Sequence, residues 1–146
     1  MVTDLVLAIA HHLLAFALAG VIAAELVLIR PGLGGRALAI LTRIDAAYGA
    51  LAMLLIIIGA SRVYFGLKGW EFYVYNPTFW AKMAAFALVG LLSIVPTIRI
   101  LRWRAANAES YVIPDADVLR VRSFLKMEAV VFALIPVFAA AMARGY

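Results

Sequence analysis

Two adjacent histidines, His11 and His12, lie inside an apolar run from Leu5 to Ile29. Imidazole is the commonest metal ligand among side chains. An ionisable residue at membrane depth usually faces the bundle interior or a water-filled cavity. Both histidines are therefore candidate metal ligands. Arg62 and Lys82 sit within about one turn of the ends of two further apolar runs, and Trp80 and Met83 accompany Lys82. These six residues form a candidate cofactor layer.

A haem between membrane helices requires an axial ligand, small side chains beside the ring and cations for its propionates. His11 or His12 supplies the first, and Arg62 and Lys82 the last. Adjacent helical residues point about 100° apart, so the two histidines cannot both serve one site. His11 shares a face with Leu18, Ile22 and Glu25. His12 shares one with Phe16, Ala19 and Ala23, a small-residue groove that admits a flat ligand or a close helix. No second histidine lies on another helix, so the sixth position is open, supplied by another protomer or taken by a methionine, of which Met83 is the better candidate. The chain has no cysteine, which excludes disulfides, thiolate metal sites and thiol chemistry. No catalytic acid, base or nucleophile is assigned.

A second polar layer contains Glu25, Asp45, Tyr48, Arg99 and Glu128. Ion pairs such as Glu25 with Arg99, or Asp45 with Arg43, are expected to neutralise it.

The elements that must position these residues follow from composition. Apolar residues make up 67% of the 146-residue chain and charged residues 14%. That is far more apolar than a soluble domain, which is about 45–50% apolar. A spanning helix needs about 20 mostly apolar residues, and four such runs exist: 5–29, 46–65, 79–101 and 124–143. The expected architecture is all-α, a single transmembrane domain over 1–146 built as an integral membrane four-helix bundle. Arg36 to Asp45 reads as an amphipathic lead-in to the second span. Asn76 caps the third, with Pro77 at its first position, and Asp115 or Asp117 caps the fourth. Ser93 and Thr97 are placed to bond carbonyls freed by Pro96. The aromatic stretch Gly66–Tyr75 reads as an interfacial segment, or else as a lid over a site.

Nine of the thirteen basic residues flank the first and third loops: Arg30, Arg36, Arg43, Arg99, Arg102, Arg104, Arg120, Arg122 and Lys126. The positive-inside rule then places both termini on the non-cytoplasmic side. The start of the chain lacks a basic n-region, so the first run reads as a retained helix. The net charge of +5 is a membrane-flanking pattern, which excludes nucleic acid as partner. There is no phosphate-binding glycine loop, and the ligand set does not suffice for zinc.

The order of short motifs carries a resemblance. Ala10-His11-His12-Leu13, Glu25 with Arg30-Pro31, and Arg43-Ile44-Asp45 before Tyr48-Gly49 come first. Gly59 with Arg62-Val63, Lys68-Gly69-Trp70 with Tyr73, and Asn76-Pro77 with Phe79, Trp80 and Lys82 follow. Ser93 with Pro96-Thr97, and Met142-Ala143-Arg144-Gly145, complete the set. Over essentially its whole length the chain resembles a bacterial family of predicted four-span membrane proteins, a domain of unknown function. That family is distantly similar to the four-helix protoporphyrinogen oxidase of haem synthesis and to the copper-resistance D membrane proteins. The resemblance implies a bacterial inner membrane location. It also implies that His11 or His12, Arg62, Trp80 and Lys82 correspond to a haem site. Trp80 and Lys82 are closer together than is usual in the oxidase group, and no histidine follows in the third helix.

Two functions are expected from this reading. The first is a membrane haem b-binding redox protein passing electrons to or from a quinone or a partner protein. The second is a non-catalytic accessory subunit of a larger membrane complex. A carrier acting as a homo-oligomer is a third.

Overall fold

All four apolar runs become helices, because a backbone in hydrocarbon must satisfy its own polar groups. The computed structural model describes residues 1–106 and 112–146. Among these it contains α1 (Val2–Leu28), α2 (Gly35–Phe65), a short α3 (Gly69–Val74), α4 (Pro77–Ala106) and α5 (Asp115–Ala143). The four long helices are each long and apolar enough to cross a membrane. They run up and down, so the start of α1 and the ends of α2 and α5 meet the start of α4 at one end of the bundle. This is called the termini end below. α1 packs mainly on α2 and α4 mainly on α5, with thinner α2–α4 and α1–α5 interfaces.

The helices exceed the spans expected from hydropathy. At 1.5 Å per residue, the 31 residues of α2 reach about 46 Å, against a hydrocarbon core of about 30 Å. The lead-in from Arg36 to Asp45 is continuous with the span. α4 continues past Leu101, and α5 starts nine residues before Phe124. Hydropathy sees only the lipid-matched part of each helix. The projecting turns carry apolar faces that need a partner in water, and they find one another. Leu38, Leu41, Ile100, Trp103, Val118 and Leu125 form a buried cluster at the end opposite the termini. A smaller cluster, Leu18, Ile22, Tyr48 and Leu55, lies further along the bundle.

The helix ends show which local signals operate. Asn76 Oδ1 accepts the Thr78 amide at 2.9 Å, and Pro77 opens α4, as expected. The hydroxyl of Thr78 donates to the Tyr146 carbonyl at 2.6 Å and ties the C-terminus to this corner. The caps expected from Asp115 or Asp117 do not form. Pro114 occupies the cap position of α5, with no side-chain cap bond. Both acids lie in the first turn, where their only benefit is to the helix dipole. The last carbonyls of α1 lack helical partners. The Arg122 guanidinium of α5 fills that need by donating to Leu26 O and to Ile29 O, the latter at 2.7 Å.

Pro96 sits buried inside α4. Ser93 donates to Gly90 O at 2.7 Å and Thr97 donates to Asp45. Neither hydroxyl serves the carbonyl freed by the proline, because each has a nearer acceptor.

Candidate functional site

The termini end packs loosely, and its gaps converge on one histidine. His11 lies roughly 14 Å along α1 from Val2 at the helical rise. Its ring rests against Gly59 of α2. A Cβ built on Gly59 would stand 3.4 Å from His11 Cε1 and 3.7 Å from Nδ1. That spacing is ordinary van der Waals contact, so the imidazole and α2 are closely packed here. The buried Nδ1 atom of His11 has no hydrogen-bond partner. A buried imidazole nitrogen without a partner is costly unless a ligand completes it.

Two adjoining cavities open beside this ring. One, of about 360 Å³, is lined by His11, Gly59, Arg62, Phe79, Lys82 and Met83 among others. The second, of about 730 Å³, runs between α1 and α5, with His11, Arg62, Lys82, Ala15, Ala19 and Ala140 in its walls. Both volumes fall within the range of roughly 300–1,000 Å³ typical of ligand sites. The walls are mostly apolar; Arg62, Lys82, His11 and Tyr73 border both cavities, and Lys68 and His12 border the larger one. Arg62 Nε is also buried without a partner. Two cations, one open imidazole nitrogen and an alanine-lined slot suit a flat, largely apolar, anionic ligand.

His11, Arg62, Lys82 and Met83 are therefore brought together. The other two predicted residues are placed differently. His12 also borders the larger cavity, but it is exposed and its Nδ1 lies 2.7 Å from the Ala8 carbonyl. That contact occupies one ring nitrogen. Trp80 lines neither cavity. It is 55% exposed, and its indole N–H donates to Val74 O at 2.9 Å. Its role is to hold the end of α3 against α4.

The aromatic stretch 66–75 is more than a surface segment. Tyr73 is buried, its ring is 5.6 Å from Phe79, and it borders both cavities. Phe72 borders the larger one. Lys68 sits 4.4 Å over the Phe72 ring. Leu67, Trp70 and Tyr75 of the same stretch are exposed. Asp4 of α1 accepts the Leu67 amide at 3.4 Å and joins this stretch to the start of α1.

The second polar layer also differs from expectation. Neither Glu25 with Arg99 nor Asp45 with Arg43 pairs. Asp45 accepts the Thr97 hydroxyl at 2.8 Å, and Glu25 faces Asp45 and Glu128. The arginines leave the interior because their guanidinium groups reach water at this end of the bundle more cheaply than they enter it.

The family model described as "Predicted membrane protein (DUF2214)" matches residues 3–146. The chain belongs to this family. No curated protein and no solved structure matches it. In this DUF2214 chain the described residues contain no group of three or more His, Cys, Asp or Glu that could hold a metal ion. His11 and Met83 both line the smaller cavity. Sequence reasoning missed Met142 of α5, which borders both cavities alongside His11. The signal was available: in an up-and-down bundle the last turn of the fourth span lies at the same end as the start of the first. Tyr73, Gly59 and Phe132 were also missed as wall residues. Phe132 sits mid-helix in a run of apolar residues, with nothing local to distinguish it.

Proposed function

We propose that this chain is a membrane haem b protein that passes electrons to or from a quinone or a partner protein. The observation that carries the reading is the unpartnered, buried nitrogen of His11 facing cavities that also hold Arg62 and Lys82. His11 is the proposed axial ligand. Met83 and Met142, which line the same cavity as His11, would be the further side chains able to hold the group. Arg62 and Lys82 would take the propionates. Bound there, haem supplies one-electron transfer at a potential set by its axial ligands and by burial. The apolar walls, to which Phe72 and Tyr73 contribute at the termini end, exclude water.

The proposed setting is a bacterial inner membrane with both termini on the non-cytoplasmic side, consistent with the basic first and third loops. The site then opens toward the outer face, and the slot between α1 and α5 opens sideways toward lipid, where a quinone travels. Assembly as a homo-oligomer or within a larger membrane complex fits the same architecture. Distant kinship to the four-helix protoporphyrinogen oxidase and to copper-resistance D proteins rests on the motif order.

Addition of a quinol to the oxidised, haem-loaded protein in nanodiscs is expected to produce the absorption changes of ferrous haem b. The Arg62→Leu, Lys82→Leu double variant is expected to bind haem more weakly. Protein that takes up haem but is reduced by no quinol and by no protein donor would remove the electron-transfer part of the proposal.

A further inference from the structure

Deep in the bundle, away from the haem reading and independent of it, three acids from three helices converge. Glu25 of α1 is 2% exposed, Asp45 of α2 is 8% exposed and Glu128 of α5 is fully buried. Glu25 faces Asp45 and Glu128. Asp45 faces Glu25 and the Thr97 hydroxyl of α4. Glu128 faces Asp45 and the Tyr48 phenol, and Tyr48 also faces Ser93 of α4. These neighbours, taken from every helix packed around the cluster, include no cation.

Both carboxylate oxygens of Glu128 and Oε1 of Glu25 are buried with no hydrogen-bond partner. Three ionised carboxylates cannot share such a place. Like charges at close range repel strongly when water is excluded, and each unpaired buried charge is itself costly. Something positive must sit among them. The described residues offer no group of three or more acids and histidines that could hold a metal ion. A proton is the species that needs no such cage: one carboxyl becomes a donor, and the orphaned oxygens of its neighbours become its acceptors. A groove of about 600 Å³ between α2 and α4, largely apolar but lined also by Tyr48, Ser93 and Thr97, meets the cluster at Asp45.

We propose that Glu25, Asp45 and Glu128 form a proton-binding site inside the bundle, which exchanges protons with water through the groove between α2 and α4. Tyr48, Ser93 and Thr97 position the acids and line the route. The ligand is the proton itself, shared among the three carboxyl groups.

The test uses the full chain in nanodiscs at neutral pH, with and without haem. N,N′-dicyclohexylcarbodiimide, an apolar reagent, reacts with protonated carboxylic acids. The acid O–H adds across one C=N bond, with oxygen going to the central carbon and the proton to nitrogen. The adduct then rearranges to a stable N-acylurea, which peptide mass spectrometry locates. Labelling of Glu25 or Glu128 is expected, declining as pH is raised, with exposed Asp115 and half-buried Asp117 unlabelled. Infrared spectra of the unmodified wild type are expected to show a carboxylic acid C=O stretch that shifts in heavy water. That stretch should be lost in the Glu25→Gln, Glu128→Gln variant. Two results would overturn the proposal. One is wild-type protein with neither the stretch nor the label. The other is suppression of both by Na⁺, K⁺ or Ca²⁺, which would make the cluster a cation site. The infrared readout on wild type does not depend on any variant folding.

Discussion

His11→Ala is expected to strip the purified protein of nearly all its haem, whereas His12→Ala keeps haem content close to wild type. The two histidines are neighbours in sequence but not in situation. His11 has an unpartnered buried nitrogen facing the cavities, and its ring packs against Gly59 of α2. His12 is exposed, with one nitrogen already held at the Ala8 carbonyl. Losing even a partner that merely orients a metal ligand typically costs about 10–100-fold in affinity, so losing the ligand itself should exceed that. The measurement is haem per protein after purification from haem-replete cells, by pyridine haemochrome assay. Equal loss in the two variants would contradict the assignment of His11 as the ligand. Retention of haem in His11→Ala would contradict it outright.

Trp103→Ala is expected to be among the most destabilising single changes in the chain, at about 3–5 kcal/mol. Trp103 is 3% exposed within the cluster built by the projecting turns of α2, α4 and α5. There the solvent is water or headgroup, so the hydrophobic effect acts at full strength. Leu91→Ala, in the middle of α4 at a position 63% exposed on the bare protein, is expected to cost little. Its side chain meets acyl chains in both the folded and the separated helices, and lipid supplies no hydrophobic drive between them. Thermal unfolding in detergent should therefore separate the two variants clearly. Comparable losses for both would mean that the cluster at the loop end does not anchor the bundle.

The spanning helices were legible because four uninterrupted apolar runs can do little else in lipid. Their ends were not, and the reason differs from place to place. Hydropathy stops at Ala46 and Phe124, while the helices continue into water on amphipathic turns such as Leu38 and Leu41, or Val118 and Val121. Asn76-Pro77 read correctly because the cap acts locally. Asp115 read incorrectly because Pro114 already fixes the chain entering α5.

The site was legible at the level of layers. His11, Arg62, Lys82 and Met83 were chosen by depth, and depth is what joins them. Direction around each helix was harder. Trp80 lies two residues from Lys82 and so points to a different face, where it bonds Val74 O. The acids of the second layer were matched to arginines by charge alone. The bundle instead turns Glu25, Asp45 and Glu128 toward one another, because long basic side chains at a helix end can reach water and short buried acids cannot.

The most direct test is the visible absorption spectrum of the wild-type chain, purified in detergent from haem-replete cells and recorded before and after dithionite. A Soret band with the sharpened bands of ferrous haem b on reduction, at about one haem per chain, is the predicted result. A colourless preparation that also fails to take up added haem would contradict the account, leaving His11, Arg62 and Lys82 without the ligand assigned to them.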